Sequence, residues 1–232
     1  MEVKKESVQD YLYQNMREQW KILFGIETEI HLHKWLINYK NDCLFLYNVH
    51  GLLIGESSND LKDEQRKLLY KKTASTLEII DSLSTLQIPL SAAKQAIQMV
   101  CDYLYDYLPL GSVVILNKKY LGKAFEVDAI QQVRFVITQR FACIPDTETF
   151  YPYGGIIYPI GQIEGERVMY FTPPLIEEVQ HIGFQDDTDR AFVLEMKEEL
   201  IKRKNFQSIA FIDSKKREQA QQVIERRGVN YE

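Results

Sequence analysis

The sequence predicts an α+β protein: an N-terminal helical portion, then a small bent antiparallel β-sheet or barrel-like module, then C-terminal helices. Three observations carry this. Apolar residues recur at three- and four-residue steps through much of 1–107, β-branched and aromatic runs cut by Gly and Pro fill 108–186, and a helical period returns over 187–232. With 232 residues, 45% hydrophobic and only 11 Gly and 7 Pro, the chain can build two cores and is not linker-rich or disordered.

In the first region Val8, Tyr11, Leu12, Met16 and Trp20 mark one helix, and Ile30, Trp35, Leu36 and Tyr39 mark a second over 27–39. Cys43 to Ile54 reads either as a hairpin turning at Asn48–Gly51 or as the buried end of a helix, the hairpin being favoured. Glu56 to Asp60 is a polar loop. Beyond it Leu61, Leu68, Leu69, Thr73, Leu77, Ile80 and Leu83 keep a helical period to Ser84. Ser91 then caps a helix with Ala93, Ile97, Val100, Leu104 and Tyr107 on a two-per-heptad seam. The last two helices predict an αα-hairpin with the seam inward.

After Leu108-Pro109 the strand candidates are 112–116, 133–144, 151–159 and 167–171. Pro173-Pro174 predicts a short helix from Leu175 to Val179, because Pro suits a first helical position. Asp186, Asp187 and Asp189 suit the N-terminus of another helix, which Lys202 to Lys204 closes. Ser208 to Ile212 reads as a strand, and Ser214 caps a final helix stopping at Gly228.

Net charge is −5, and no region carries a strong single-sign excess, which is not the footprint of a nucleic-acid or membrane-surface binder. The first ten residues contain no apolar signal-peptide core, and no stretch is long and apolar enough to span a bilayer. Cys43, Cys101 and Cys143 are dispersed among apolar neighbours, as buried free thiols would be, so a cytoplasmic location is expected.

No phosphate-binding loop, dinucleotide fingerprint, nucleophile elbow, zinc-protease helix or C-x-x-C pair occurs. His31 and His33 lack a third ligand nearby, Cys143 with His181 is only a formal nucleophile pair, and adjacent Glu177 and Glu178 diverge on a helix. The reading is a non-enzyme with no cofactor or metal. Gly154 and Gly155 read as a bend or bulge in a small sheet.

Leu108-Pro-Leu-Gly-Ser-Val-Val-Ile-Leu116, Tyr153-Gly-Gly-Ile-Ile-Tyr-Pro-Ile-Gly161 and Tyr170-Phe-Thr172 are followed by Ile176-Glu-Glu-Val179 and Ile182-Gly-Phe184. In this order they resemble the domain-of-unknown-function 4176 family, with Phe184 standing where a Tyr is common. Gly111, Gly155, Pro159 and Gly161 match its pattern, and with Gly154 they are backbone-shaping rather than catalytic positions. The resemblance implies an accessory protein of Gram-positive type VII secretion, an adaptor or targeting chaperone for a large LXG-type effector, or alternatively an immunity protein for the cognate toxin.

Exported substrates of that system pair a Tyr with an acid four residues on, near a W-x-G turn. No Tyr here has such an acid, and Trp20 and Trp35 are followed at that position by Ile22 and Ile37. The implied partner is therefore the helical N-terminal domain of a secreted effector, with no nucleic acid and no membrane insertion. Tyr is abundant, with 14 in the chain, and suits interfaces. Tyr105, Tyr151, Tyr153 and Tyr158 are the protein-binding candidates, and weak salt dependence is expected of such contacts.

Overall fold

The computed structural model describes residues 5–55, 59–117, 133–161 and 168–226. It divides into two compact units, Met1–Tyr105 and Asp106–Glu232. The α+β class holds, with N-terminal helices, antiparallel sheets and C-terminal helices.

In the first unit α1 (Lys5–Phe24) and α2 (Ile26–Leu36) join at Gly25, whose φ of 84° lies in the left-handed region that a glycine adopts without strain. Their facing stripes bury Leu12, Met16 and Trp20 with Leu32, Trp35 and Leu36, and Arg17 Nε donates to the buried Glu29 carboxylate at 2.6 Å. A tight turn of 3-10 type, Ile37–Tyr39, prolongs α2. Ala93, Ile97, Val100 and Leu104 of α4 (Leu90–Leu104) form the expected inward seam, although the helix stops before Tyr107.

Two expectations fail in this unit. Cys43–Ile54 is not a hairpin: Phe45–Ile54 is helix α3, with Leu46, Val49, Leu52 and Leu53 buried and Gly51 continuing the helical backbone. A lone two-stranded ribbon could not have buried so continuous an apolar run. The helix read over 61–84 is instead a meander of β1 (Asp60–Asp63), β2 (Leu68–Lys72), β3 (Thr76–Ile80) and β4 (Thr85–Pro89), paired antiparallel in that order. The predicted αα-hairpin is therefore absent, and the 1–107 region is not wholly helical. Its turns contain neither Gly nor Pro. Asp81 accepts from the amides of Leu83 and Ser84, each at 2.7 Å, and Lys67 takes φ 54°. Leu83, counted as a core position, sits on that turn and is 95% exposed.

A buried polar chain links the helices of this unit to its sheet. Trp35 Nε1 donates to Tyr70 Oη at 3.2 Å, the Tyr70 and Tyr39 hydroxyls are hydrogen-bonded, and Tyr39 donates to Asp63 at 2.7 Å. Asp63 also accepts from the Arg66 backbone amide at 3.0 Å and from its guanidinium at 3.3 Å. That guanidinium lies 4.2 Å from the centre of the Tyr39 ring.

In the second unit β5 (Val113–Leu116), β6 (Arg134–Ile144), β7 (Thr149–Tyr158) and β9 (Ile176–His181) run antiparallel in the order β7-β6-β5-β9. The far side of β7 carries β8 (Met169–Phe171) antiparallel and the two-residue β10 (Gln207–Ser208) parallel. The sheet is bent, with a register shift between Ile137 and Gln139, and does not close into a barrel among the described residues. Phe135, Phe141, Phe150, Tyr153 and Phe171 fill its core.

Helix α5 (Asp187–Met196) starts as expected, with Asp186 accepting from the Asp189 amide at 2.9 Å, and runs on through a wider turn to Arg203. Asp189 forms a two-pronged ion pair with Arg140 of β6. The final helix, α6, spans Ser214–Arg226, and its predicted stop at Gly228 lies outside the described residues. Two further readings are corrected. Leu175–Val179 is not a helix: Pro173–Leu175 is a single tight turn and β9 follows, drawn into extended form by the free edge of β5. Of the strand read at 208–212 only Ser208 is paired, with Gln207 before it.

Burial raises the pKa values of Tyr39 and Tyr70, and at Tyr39 the neighbouring Tyr70 and Asp63 raise it further. An unfolded tyrosine ionises near pH 10, at about its ordinary value. Below that pH both states hold these protons; above it the unfolded chain loses them first, so stability falls as pH rises. Urea unfolding between pH 8 and 11 is expected to show this decline, with tyrosinate absorbance from these residues appearing only on unfolding. Tyr70→Phe should lessen the slope. Stability unchanged from pH 9 to 11 would contradict the buried hydroxyl chain.

Candidate functional site

Leu108 to Ser112 folds back on itself before β5 begins. The buried Ser112 hydroxyl donates to the Pro109 carbonyl at 2.7 Å and accepts from the Gly183 amide at 3.0 Å. Gly111 N–H donates to the Ile137 carbonyl at 2.8 Å, and Ile137 N–H returns a bond to the Ser112 carbonyl at 2.9 Å. These bonds clasp three segments that are far apart in sequence. Gly111 turns the chain with φ 82°, and a Cβ on Gly183 would stand 2.0 Å from the Leu110 carbonyl oxygen and 2.8 Å from the Ser112 nitrogen. Only glycine fits at 183.

The clasp sets apolar side chains in solvent. Leu110 is 46% exposed, Ile182 63% and Phe184 82%, and the backbone approach of Gly183 to Leu110 and Gly111 brings all three to the same end of the sheet. Val179 of β9 is exposed as well. Single exposed apolar residues are ordinary, whereas several held by a hydrogen-bonded backbone at one place are the material of a contact surface. Beside them the exposed Glu177 and Glu178 have no ion-pair partner among the described residues. No Lys or Arg occurs between Arg167 and Arg190, so this stretch of the sequence is acidic, which the regional charge balance conceals.

The tyrosine candidates divide. Tyr153 is fully buried: its hydroxyl accepts from the Leu108 amide at 2.8 Å and its ring packs with Tyr107 and Phe171. It belongs to the core and is withdrawn as a contact residue. Tyr151 is half-buried beside Tyr170, Tyr105 is half-buried, and Tyr158 is exposed at the end of β7. Sequence reasoning missed Leu110, Ile182 and Phe184 as surface residues. The signal was there: Phe184 stands between a glycine and a run of acids, outside any apolar period.

The formal catalytic pairs come apart. Across β5, His181 is level with Val136, and Cys143 lies further along β6 by roughly 20 Å of extended strand. His33 Nδ1 is 3.1 Å from the Tyr13 hydroxyl, and burial, then the Arg17 charge, lowers its pKa. Among the described residues no three His, Cys, Asp or Glu side chains stand together as metal ligands.

Residues 107–192 match the family model of a domain of unknown function (DUF4176). No curated protein and no solved structure matches the chain. The DUF4176 segment contains the whole clasp, and the structure explains its glycines. A Cβ on Gly155 would lie 2.8 Å from the Val136 carbonyl oxygen, and one on Gly154 2.9 Å from Val168 Cγ1. Gly161 takes φ 75°, just after the cis bond from Tyr158 to Pro159. These residues shape backbone, as the resemblance implied.

The cysteines complete the picture. Cys43 and Cys101 are buried, and Cys101 Sγ donates to the Cys43 carbonyl at 3.6 Å; burial pushes its pKa well up. Cys143 is exposed, contrary to the expected core position, because it falls on the open face of β6; partial burial still raises its pKa, opposed by Lys204. A thiol reagent at pH 8 is therefore expected to modify one cysteine quickly in the native protein, identified as Cys143 by peptide mapping, and the other two only on unfolding. Equal rates at all three would contradict this burial.

Proposed function

We propose that this protein is a non-enzymatic cytoplasmic accessory protein of Gram-positive type VII secretion, an adaptor or targeting chaperone that holds the helical N-terminal domain of an LXG-type effector. The observation that carries the reading is the clasp in the DUF4176 segment. It is built from glycine, serine and backbone amides, and what it presents is Leu110, Ile182 and Phe184. Rigid backbone bearing exposed aromatic and aliphatic side chains suits recognition, since little entropy remains to be lost on binding. No described helix is long and apolar enough to cross a membrane.

The test is capture of separately tagged effector domains by the full chain. The N-terminal helical domain should be retained and the C-terminal toxin domain should not. Phe184→Ser, at a solvent-exposed position, should weaken capture at least about tenfold while leaving the melting temperature unchanged. Retention of the toxin domain alone would replace this reading with an immunity role, and retention of neither would remove both.

A further inference from the structure

We infer that the clasp end of the DUF4176 sheet docks a basic amphipathic helix, whose apolar stripe covers Leu110, Ile182 and Phe184 and whose Lys or Arg residues face Glu177 and Glu178. The inference rests on the binding role proposed above and specifies the chemistry of the partner. Two observations select it.

The first is charge. Glu177 and Glu178 lie on β9, five and four residues before Ile182, and Asp186 and Asp187 follow Phe184. Asp189 is ion-paired with Arg140 and Asp187 with Arg190, and among the described residues Glu177, Glu178 and Asp186 have no ion-pair partner, so they form the acidic border of the apolar tip. An apolar surface with an acidic border favours a partner with the complementary pattern and repels an acidic one. Such a complementary partner would bind in a salt-sensitive way, unlike the weak salt dependence expected from charge averaged over whole regions.

The second is the shape of the edge. β9 ends the sheet among the described residues, and a free edge could in principle accept a partner strand. Its pairing with β5, however, changes register twice, between Val113 and Val114 and again between Ile115 and Leu116. Such bulges twist an edge and break the even spacing that an added strand needs. Ile182 and Phe184 also lie beyond the last paired residue, His181, so they are offered as side chains rather than as ladder positions. A helix reads such side chains through apolar residues at i, i+3, i+4 and i+7.

The probe is a fluorescein-labelled Leu/Lys amphipathic peptide of about 18 residues, five helical turns, titrated with the full-length protein and followed by anisotropy. Micromolar binding is expected, weakening as salt rises. Ile182→Ser with Phe184→Ser should weaken it at least about tenfold, and Glu177→Gln with Glu178→Gln should weaken it several-fold and flatten its salt dependence. The control Glu27→Gln with Glu64→Gln, two exposed acids of the other unit, should bind as the unaltered protein does.

Equal loss in the control, undiminished binding by the serine variant, or equal binding of the Leu/Glu version of the peptide would overturn the inference. So would tighter binding of an alternating Val/Lys peptide, which would favour a strand. A dimer of the chain abolished by the serine variant would make a second copy the occupant and overturn it too. Peptide binding without effector capture would remove the proposed function and leave the surface standing; effector capture without peptide binding would do the reverse.

Discussion

The approach of Gly183 to Leu110 and Ser112 is the constraint on which the second unit turns. No side-chain atom fits between these backbones, so β9 can end against the start of β5 only if residue 183 is glycine. Ser112 then joins the two, accepting from Gly183 while it donates to Pro109. A buried hydroxyl used in both directions has no unmet hydrogen bond to weaken the contact. The chain on either side of Gly183 is consequently held in place with its side chains outward. Exposure of Ile182 and Phe184 is thus a product of the fold rather than of a loose loop.

The first unit is held by a different device. Its meander has short strands and half-buried faces, and helix-to-sheet packing alone would fix it weakly. The chain from Trp35 through Tyr70 and Tyr39 to Asp63 adds direction, since each hydroxyl has one place for its proton. Arg66 neutralises the buried carboxylate at the end of the chain. A buried network with all its members bonded specifies one arrangement of strands against helices.

How much of this was legible from sequence depended on punctuation. The seam of α4 was readable because its period runs over more than ten residues, and strands β6 and β7 because β-branched and aromatic composition cut by Gly and Pro marks 133–144 and 151–159. The meander was not, because Leu61, Leu68, Leu69, Leu77 and Ile80 satisfy a helical period by coincidence while the turns between them use Asp, Thr and Lys. The β9 strand was hidden by Pro173-Pro174, which signals a helix start but here makes a single turn before an open sheet edge. At the site Gly111 was legible as a backbone-shaping position, and Gly183 and the exposed apolar residues were not. Tyr153 and Phe184 are both aromatic neighbours of a glycine, and only the three-dimensional approach of Gly183 to Leu110 shows which one faces solvent.

The proposed recognition surface therefore consists of residues beside Gly111 and Gly183, with the glycines acting through what they hold. Amide hydrogen exchange of the full chain, alone and with the effector's helical N-terminal domain, tests this most directly. The account predicts that Gly111, Ile137 and Gly183 exchange slowly in the free protein, and that the partner adds protection across 177–184 and at Leu110. Fast exchange at those three amides in the free protein, or new protection confined to other parts of the chain, would contradict it.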